Sequence, residues 1–197
     1  MTTPKLKHVL SIICGSLSDH GVAHALIGAM AMALYGLPRY TADIDLLADE
    51  QHRETILRLM ERLGYQCFQD TGSFAQFDSE LGVYGKVDFL FVQSNEGRAI
   101  LERTVVIKDD TLGPLPVVQP TDYAVLKFMA IANNPERKTH DMADLELLFK
   151  ASAAGLLGVS FSTMEMKHLD KFARRFRVFK QVAHLFKLLP ASGERNK

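Results

Sequence analysis

The sequence predicts an α/β (α+β) fold in which strands and helices alternate up to residue 119 and the rest of the chain is helical. Short runs rich in β-branched and aromatic residues, separated by Gly, Pro, Asp or Asn, indicate strands in the first part. Apolar residues at helical spacing dominate after Pro120. We therefore expect a core over residues 1–119, a helical C-terminal part over 120–190 that completes the functional site, and a flexible tail over 191–197.

The first part is predicted element by element from its periodicity and its capping signals. An amphipathic first helix includes Leu6, Leu10 and Leu17. A strand at 22–27, a turn at 28–29 and a helix at 30–35 follow. The remaining elements are a strand at 42–48, a helix at 50–63 with Asp49 as N-cap, a hairpin of strands 65–70 and 73–78, a strand at 86–92, a short helix capped by Ser94, and strands at 104–108 and 115–118.

The second part is predicted to consist of three helices, at 121–132, 136–153 and 162–189, the last with a break or bend. Pro120 and Pro135 precede the first two of these helices. Proline is common at helix starts, because the first N–H groups of a helix have no intrahelical acceptor.

The composition is that of an ordinary globular protein, with 47% hydrophobic and 23% charged residues. The formal net charge of zero excludes a global field that would draw the whole molecule to nucleic acid or to a membrane. The charge is nevertheless uneven. Residues 167–197 carry nine Lys and Arg against two Asp and Glu, so this segment is at +7 and residues 1–166 are at −7. This asymmetry indicates that the two parts meet different partners.

Cysteine content and hydropathy favour a soluble, cytoplasmic protein. Cys14 and Cys67 are too few for a disulfide framework or a cysteine zinc site, and they fit a reducing compartment. The long uncharged stretch at 20–38 contains glycines, a proline and two histidines, so it is a poor membrane helix. We expect no membrane partner.

Three carboxylates lie on segments predicted to be strands. Asp43 and Asp45 are two residues apart, so their side chains project from one face, and Asp88 interrupts an otherwise apolar strand. Aspartate is a poor strand residue, and neighbouring like charges repel each other unless a cation relieves them. Three carboxylates on adjacent strands would suit two Mg²⁺ ions about 3.5–4 Å apart that bridge substrate phosphates. The alternative is that all three simply face solvent.

Residues near these carboxylates are candidates for phosphate binding. Gly28 and Ala29 follow a strand and open a helix, where free backbone N–H groups hold anions, although a plain tight turn explains them equally well. Arg39 and Thr41 come shortly before the acidic pair and are within reach of anionic oxygens. A loop arginine is also commonly only solvated.

Three segments of the sequence resemble a known family: 25–31 (Ala-Leu-Ile-Gly-Ala-Met-Ala), 36–47 (Gly-Leu-Pro-Arg-Tyr-Thr-Ala-Asp-Ile-Asp-Leu-Leu) and 87–90 (Val-Asp-Phe-Leu). They are similar to the nucleotidyltransferase superfamily with the DNA-polymerase-beta-like fold. They are most similar to the bacterial abortive-infection type nucleotidyltransferases, many of which are toxins of toxin–antitoxin pairs. The resemblance covers roughly residues 20–150, and 36–47 is its most specific part.

The resemblance implies a mixed-sheet nucleotidyltransferase fold with a C-terminal helical segment. It also implies that Asp43 and Asp45 bind two Mg²⁺ ions, that Asp88 completes the catalytic set, and that an NTP is the substrate. The chain departs from the family at Ala29, where the family usually has Gly or Ser.

The helix at 121–132 contains one cation, Lys127, on an otherwise apolar cylinder, and the next helix places Asp141 and Asp144 on its inward face. One interpretation is structural: a Lys127–Asp141 ion pair, or an N-terminal turn in which acidic residues suit the helix dipole. The resemblance implies instead that Lys127 holds the triphosphate and that Asp141 positions or activates the acceptor. His140 stands where the family commonly has arginine.

The last helix gathers basic residues over 167–187, interleaved with aromatic residues that we expect to pack inward. Such a charge run is commonly a solvated face, but it also fits an RNA backbone, and an amphipathic membrane contact is a third alternative.

Together these features predict a metal-dependent nucleotidyltransferase that moves an NMP from an NTP to an acceptor hydroxyl. The basic helix favours RNA, such as tRNA, as acceptor. The resemblance implies a toxin of a toxin–antitoxin pair, with an antitoxin protein as partner. The alternatives are a transferase that acts on a protein or a small molecule, and a catalytically weak nucleotidyltransferase-like module that binds a nucleotide or a partner protein.

Overall fold

The computed structural model describes residues 4–38, 40–79, 84–134, 136, 138–158 and 164–189. It divides into two compact units, Met1–Leu34 with Pro38–Val118, and Tyr35–Leu37 with Gln119–Lys197. The predicted tail at 191–197 and the candidate residue Arg39 lie outside the described residues.

A seven-stranded mixed sheet forms the centre of the first unit. Its strands are β1 His24–Leu26, β2 Asp43–Asp49, β3 Tyr65–Thr71, β4 Phe74–Ser79, β5 Lys86–Val92, β6 Val105–Asp109 and β7 Gly113–Val117. Their order across the sheet is β3-β4-β5-β2-β1-β7-β6. Strand β2 is parallel to β5 and β1 is parallel to β7, and the other neighbouring strands are antiparallel. The predicted mixed-sheet α/β fold is therefore confirmed.

In the part of the first unit that the structure describes, four helices accompany the sheet: α1 Pro4–Asp19, α2 Gly28–Leu34, α3 Arg53–Arg62 and α4 Asn95–Glu102. The Ser94 hydroxyl accepts a hydrogen bond from the Gly97 N–H, 3.1 Å away, and caps α4 as predicted. The predicted helix at 50–63 is instead a 3-10 turn, Glu50–His52, followed by α3. The Asp49 carboxylate therefore caps the turn, through Gln51 N–H at 3.1 Å.

The alternation of side chains on the central strands separates an apolar face from a polar one. On β2, β4 and β5 the apolar face includes Ile44, Leu46, Ala75, Phe77, Val87 and Phe89, each at most 1% exposed. The intervening positions include Asp43, Asp45, Gln76 and Asp88, all half-buried. Because successive side chains of a strand point to opposite faces, burial of the apolar residues in the core places the intervening polar residues together on the other face of the sheet.

The described residues of the second unit form four helices: α5 Pro120–Asn133, α6 Lys138–Ala153, α7 Met166–Arg175 and α8 Phe179–Phe186. Helix α5 packs against α6 and α7, and α8 packs against α6 and α7. The Tyr35 ring, fully buried, meets Tyr123 edge-on at a centroid distance of 5.9 Å.

The helix predicted at 162–189 is two helices, and residues 162 and 163 lie outside the described residues. Helix α7 ends in two backbone bonds, Arg177 N–H to Arg174 O at 3.0 Å and Val178 N–H to Ala173 O at 2.9 Å, with Arg177 at φ +61°. This is the Schellman pattern, in which the residue at positive φ is usually glycine. The break shifts the buried face of α8 to Val182 and Leu185. The inward aromatic stripe is therefore only partly formed: Phe172 is buried, and Phe176, Phe179 and Phe186 are half-buried.

Among the described residues, no helix has both the length and the hydropathy needed to cross a membrane.

Candidate active site

The carboxylates of β2 and β5 form a row with a glutamine from β4. In the strand pairing, Asp45 is the partner of Asp88, and Asp88 is the partner of Gln76. The Gln76 Nε2 atom donates to Asp88 Oδ2 at 2.9 Å. Asp43 lies two residues before Asp45 and is paired with Lys86. The structure thus brings Asp45 and Asp88 side by side on one face of the sheet, with Asp43 on the same face.

Gly28 allows the Asp45 carboxylate to lie directly against the backbone at the start of α2. A Cβ built on Gly28 would overlap Asp45 Oδ2 and lie 2.6 Å from its Cγ, and Gly28 has φ +63°. The Ile27 N–H donates to the Asp45 carbonyl at 3.0 Å, which holds the two segments together. Both the close approach and the positive φ require glycine here. The next residue, Ala29, is 3% exposed.

Thr41 acts locally on the first residue of β2. Its hydroxyl donates to the Asp43 carbonyl at 3.0 Å and accepts from the Asp43 N–H at 3.2 Å. These bonds orient Asp43 at the strand start. A nucleotide contact by Thr41, Gly28 or Ala29 stays a prediction, as does that of Arg39.

The donor chemistry of this face fits a hard divalent cation, because carboxylate oxygens are the ligands that Mg²⁺ prefers. The register places three carboxylates on two adjacent strands. As the side chains stand in the described part of the chain, no group of three or more His, Cys, Asp or Glu is arranged to hold a metal ion. The metal-binding role of Asp43, Asp45 and Asp88 therefore stays a prediction, supported by residue type and placement.

The second unit contains a buried charged group of its own. The Lys127 Nζ atom lies 2.6 Å from Asp141 Oδ1 and 2.7 Å from Asp144 Oδ2, and these carboxylates are 2% and 5% exposed. The Tyr123 hydroxyl donates to Asp144 Oδ2 at 3.4 Å. The other Asp141 oxygen, Oδ2, is buried and has no hydrogen-bond partner among the described residues.

This geometry contains the Lys127–Asp141 ion pair offered by the structural interpretation, with Asp144 as a further partner. One ammonium faces two carboxylates, so the group carries an excess negative charge when all three are ionised. The roles that the resemblance implies for Lys127 and Asp141 stay predictions.

The basic residues of α7 and α8 lie on the surface. The exposed ones are Lys167, Lys171, Arg174, Arg175, Arg177, Lys180 and Lys187, which we call the basic face. Arg174 donates to Asp170 Oδ2 at 2.9 Å, and its guanidinium lies 3.9 Å from the Phe179 ring centroid. Most of the positive charge of these helices is therefore available to solvent.

Sequence reasoning missed Gln76 and Lys86 as members of the polar face. Both are ordinary strand residues in the sequence, and only the pairing of β4, β5 and β2 places them beside the carboxylates. The available signal was the alternation of apolar and polar residues over 75–78, which puts Gln76 on the face opposite Ala75 and Phe77.

Comparison with known proteins gives structural neighbours and one family. No curated protein matches the sequence. The solution structure of the antibiotic-resistance factor ANT(2'')-Ia is similar over 93% of this chain and 99% of its own, with TM-score 0.63 and 13% identity. A putative nucleotidyltransferase from Thermotoga maritima is similar over 71% and 92%, with TM-score 0.52 and 19% identity. The lincosamide antibiotic adenylyltransferase LnuA, solved with lincomycin bound, is similar over 75% and 96%, with TM-score 0.51 and 16% identity.

At these identities the likeness shows the fold. The family is shown by sequence: the family model described as "Nucleotidyl transferase AbiEii toxin, Type IV TA system" matches residues 11–193, and the chain therefore belongs to this family of nucleotidyltransferases.

Proposed function

We propose that this nucleotidyltransferase moves an NMP from an NTP to a hydroxyl of RNA, and that Asp43, Asp45 and Asp88 form its catalytic centre. The observation that carries the proposal is the pairing of Asp45 with Asp88 on the half-buried face of the sheet, with Asp43 beside them. Folding alone does not favour adjacent carboxylates on paired strands, because like charges directly opposite each other are destabilising.

In the reaction, the acceptor hydroxyl oxygen forms a bond to the α-phosphorus, and the bond from that phosphorus to the pyrophosphate oxygen breaks. Asp43, Asp45 and Asp88 would hold two Mg²⁺ ions, which when bound neutralise the charge of the phosphates. The family resemblance supports Lys127 as a triphosphate ligand and Asp141 as the residue that positions the acceptor or activates it by taking the proton of its hydroxyl.

The basic face supports RNA as the acceptor. Exposed Lys and Arg on α7 and α8 contact phosphates without regard to sequence, and their charge is not cancelled by many acidic neighbours. A small-molecule acceptor is the second candidate, because two structural neighbours are an antibiotic-resistance factor and an antibiotic adenylyltransferase. The family description supports a toxin role, countered by an antitoxin, for this chain.

The test is the incorporation of each of the four α-labelled NTPs, with Mg²⁺, into a mixture of cellular RNA and protein. Nuclease and protease digestion then identify the labelled acceptor. Asp43→Asn is expected to abolish labelling. The matched control is Asp110→Asn, the same chemical change at an exposed position of the β6–β7 turn, which should leave it intact.

Label that nuclease removes, and that Asp43→Asn lacks, supports the proposal and names the nucleotide. Label that only protease removes makes a protein the acceptor, and labelling that persists in Asp43→Asn overturns the catalytic assignment. If no NTP labels either class, the antibiotic-type acceptor is assayed next. A blank there too favours the catalytically weak binding module.

A further inference from the structure

We propose that Gln76 is a positioning residue of the catalytic centre, whose side-chain amide fixes the orientation of the Asp88 carboxylate. This inference rests on the proposed function of Asp88. It starts from a side-chain hydrogen bond that joins the hairpin strand β4 to the carboxylate row, Gln76 Nε2 to Asp88 Oδ2 at 2.9 Å. The two residues are also direct partners in the β4–β5 pairing.

The bond acts on the last side-chain torsion of Asp88. For aspartate this torsion is broad and roughly two-fold, so the placement of neighbouring donors decides which orientation the carboxylate takes. A donor held by the neighbouring strand selects one orientation. Because Gln76 is half-buried and its flanking residues Ala75 and Phe77 are fully buried, the core on the other face of β4 holds the donor in place.

The chemistry of the donor also fits the role. An amide N–H₂ group binds a carboxylate oxygen without cancelling its charge, whereas an arginine or lysine in this place would neutralise the ligand. Asp88 therefore keeps its negative charge for a cation while its position is fixed. Groups that orient ligands in this way commonly change metal affinity or activity by about 10- to 100-fold when they are removed.

The test compares Gln76→Met, which keeps the length of the side chain and removes the donor, with Gln69→Met. Gln69 is the next residue along the same row, paired with Gln76 on the edge strand β3, and it is exposed. Two quantities are measured in both variants: Mn²⁺ binding to the free protein by electron paramagnetic resonance, and kcat and KM for labelled NTP transfer. Thermal unfolding checks the fold, and Gln76→Val, which also lacks a donor, replaces the methionine variant if that one does not fold.

We expect Gln76→Met to weaken Mn²⁺ binding and to lower kcat, each by about 10-fold or more, with little change in the KM for RNA. Gln69→Met should match the wild type. A purely structural role for Gln76 would lower the melting temperature and leave Mn²⁺ binding per folded molecule unchanged, which overturns the inference.

The design separates two failures. If the wild type transfers nucleotide, Asp43→Asn does not, and Gln76→Met equals Gln69→Met, only the inference about Gln76 is wrong. If the wild type neither binds Mn²⁺ nor transfers nucleotide, the proposed function is wrong and the role of Gln76 is rejected with it.

Discussion

Replacing Gly28 by alanine measures how much the close approach of Asp45 to the start of α2 matters. The added Cβ meets two separate obstacles. Alanine at φ +63° costs about 1–2 kcal/mol, because the left-handed region brings Cβ close to the following carbonyl. The overlap with the Asp45 carboxylate adds about 1–3 kcal/mol, the usual cost of forcing an extra carbon into a packed site.

Gly21→Ala is the matched control. Gly21 has φ +66°, almost the same backbone conformation, and nothing lies within 4 Å of a Cβ built there. Both glycines belong to the first unit, so urea denaturation reports on the same cooperative structure for the two variants. The difference in their free energies of unfolding isolates the contribution of the Asp45 contact.

We expect Gly28→Ala to lose about 1–3 kcal/mol more than Gly21→Ala. Its transfer activity should fall by about 100-fold, since displacement of a catalytic group by about 1 Å has that effect. Equal losses of stability in the two variants would refute the packing argument. A destabilised Gly28→Ala protein that keeps full activity would show that the position of Asp45 is not critical for transfer.

Three further predictions concern charges. Lys127→Met leaves two carboxylates buried without their cation, so it should lower the free energy of unfolding by about 3–5 kcal/mol in urea denaturation. The control is Lys150→Met, which removes an exposed pair with Glu146 and should change that free energy by less than about 1 kcal/mol. Burial raises the pKa of Asp49, but hydrogen bonds from Arg98 and Gln51 outweigh it and hold that pKa below its usual value. The ionised Asp49–Arg98 pair therefore stabilises the fold above about pH 4, and this stabilisation is lost as the pH falls through the lowered pKa of Asp49. In Arg98→Met, the free energy of unfolding should consequently fall less steeply between about pH 4 and lower pH than in the wild type. On the basic face, Lys180→Gln should weaken RNA binding and reduce the slope of the logarithm of the binding constant against the logarithm of salt concentration by about 0.7. Lys150→Gln is the control, and an unchanged slope in Lys180→Gln would exclude a phosphate contact by Lys180.

Much of the fold was predictable because its signals are local. The strand at 86–92 has the predicted bounds, and Ser94 caps the helix that follows. The family resemblance rested on 36–47 together with 87–90, and the family match over 11–193 confirms it. Such signals are carried by residues within a few positions of each other.

The rest depended on non-local pairing or on an uncommon backbone choice. The partnership of Gln76 with Asp88 exists only once β4 and β5 are in register. The second acidic partner of Lys127, Asp144, depends on how α6 turns against α5. Between α7 and α8, Arg177 occupies the position where helices usually end in glycine, so no Gly or Pro in the sequence marks where α7 ends.

That arginine has a consequence for selection on this chain. At the Schellman position of α7, glycine would avoid the strain of about 1–2 kcal/mol that Arg177 bears at φ +61°. A sequence selected for thermal tolerance alone would drift toward glycine there, since stabilising substitutions of this size are common and easily reached. At the corner between α7 and α8, Arg177→Gly is therefore a substitution that should make the protein more stable.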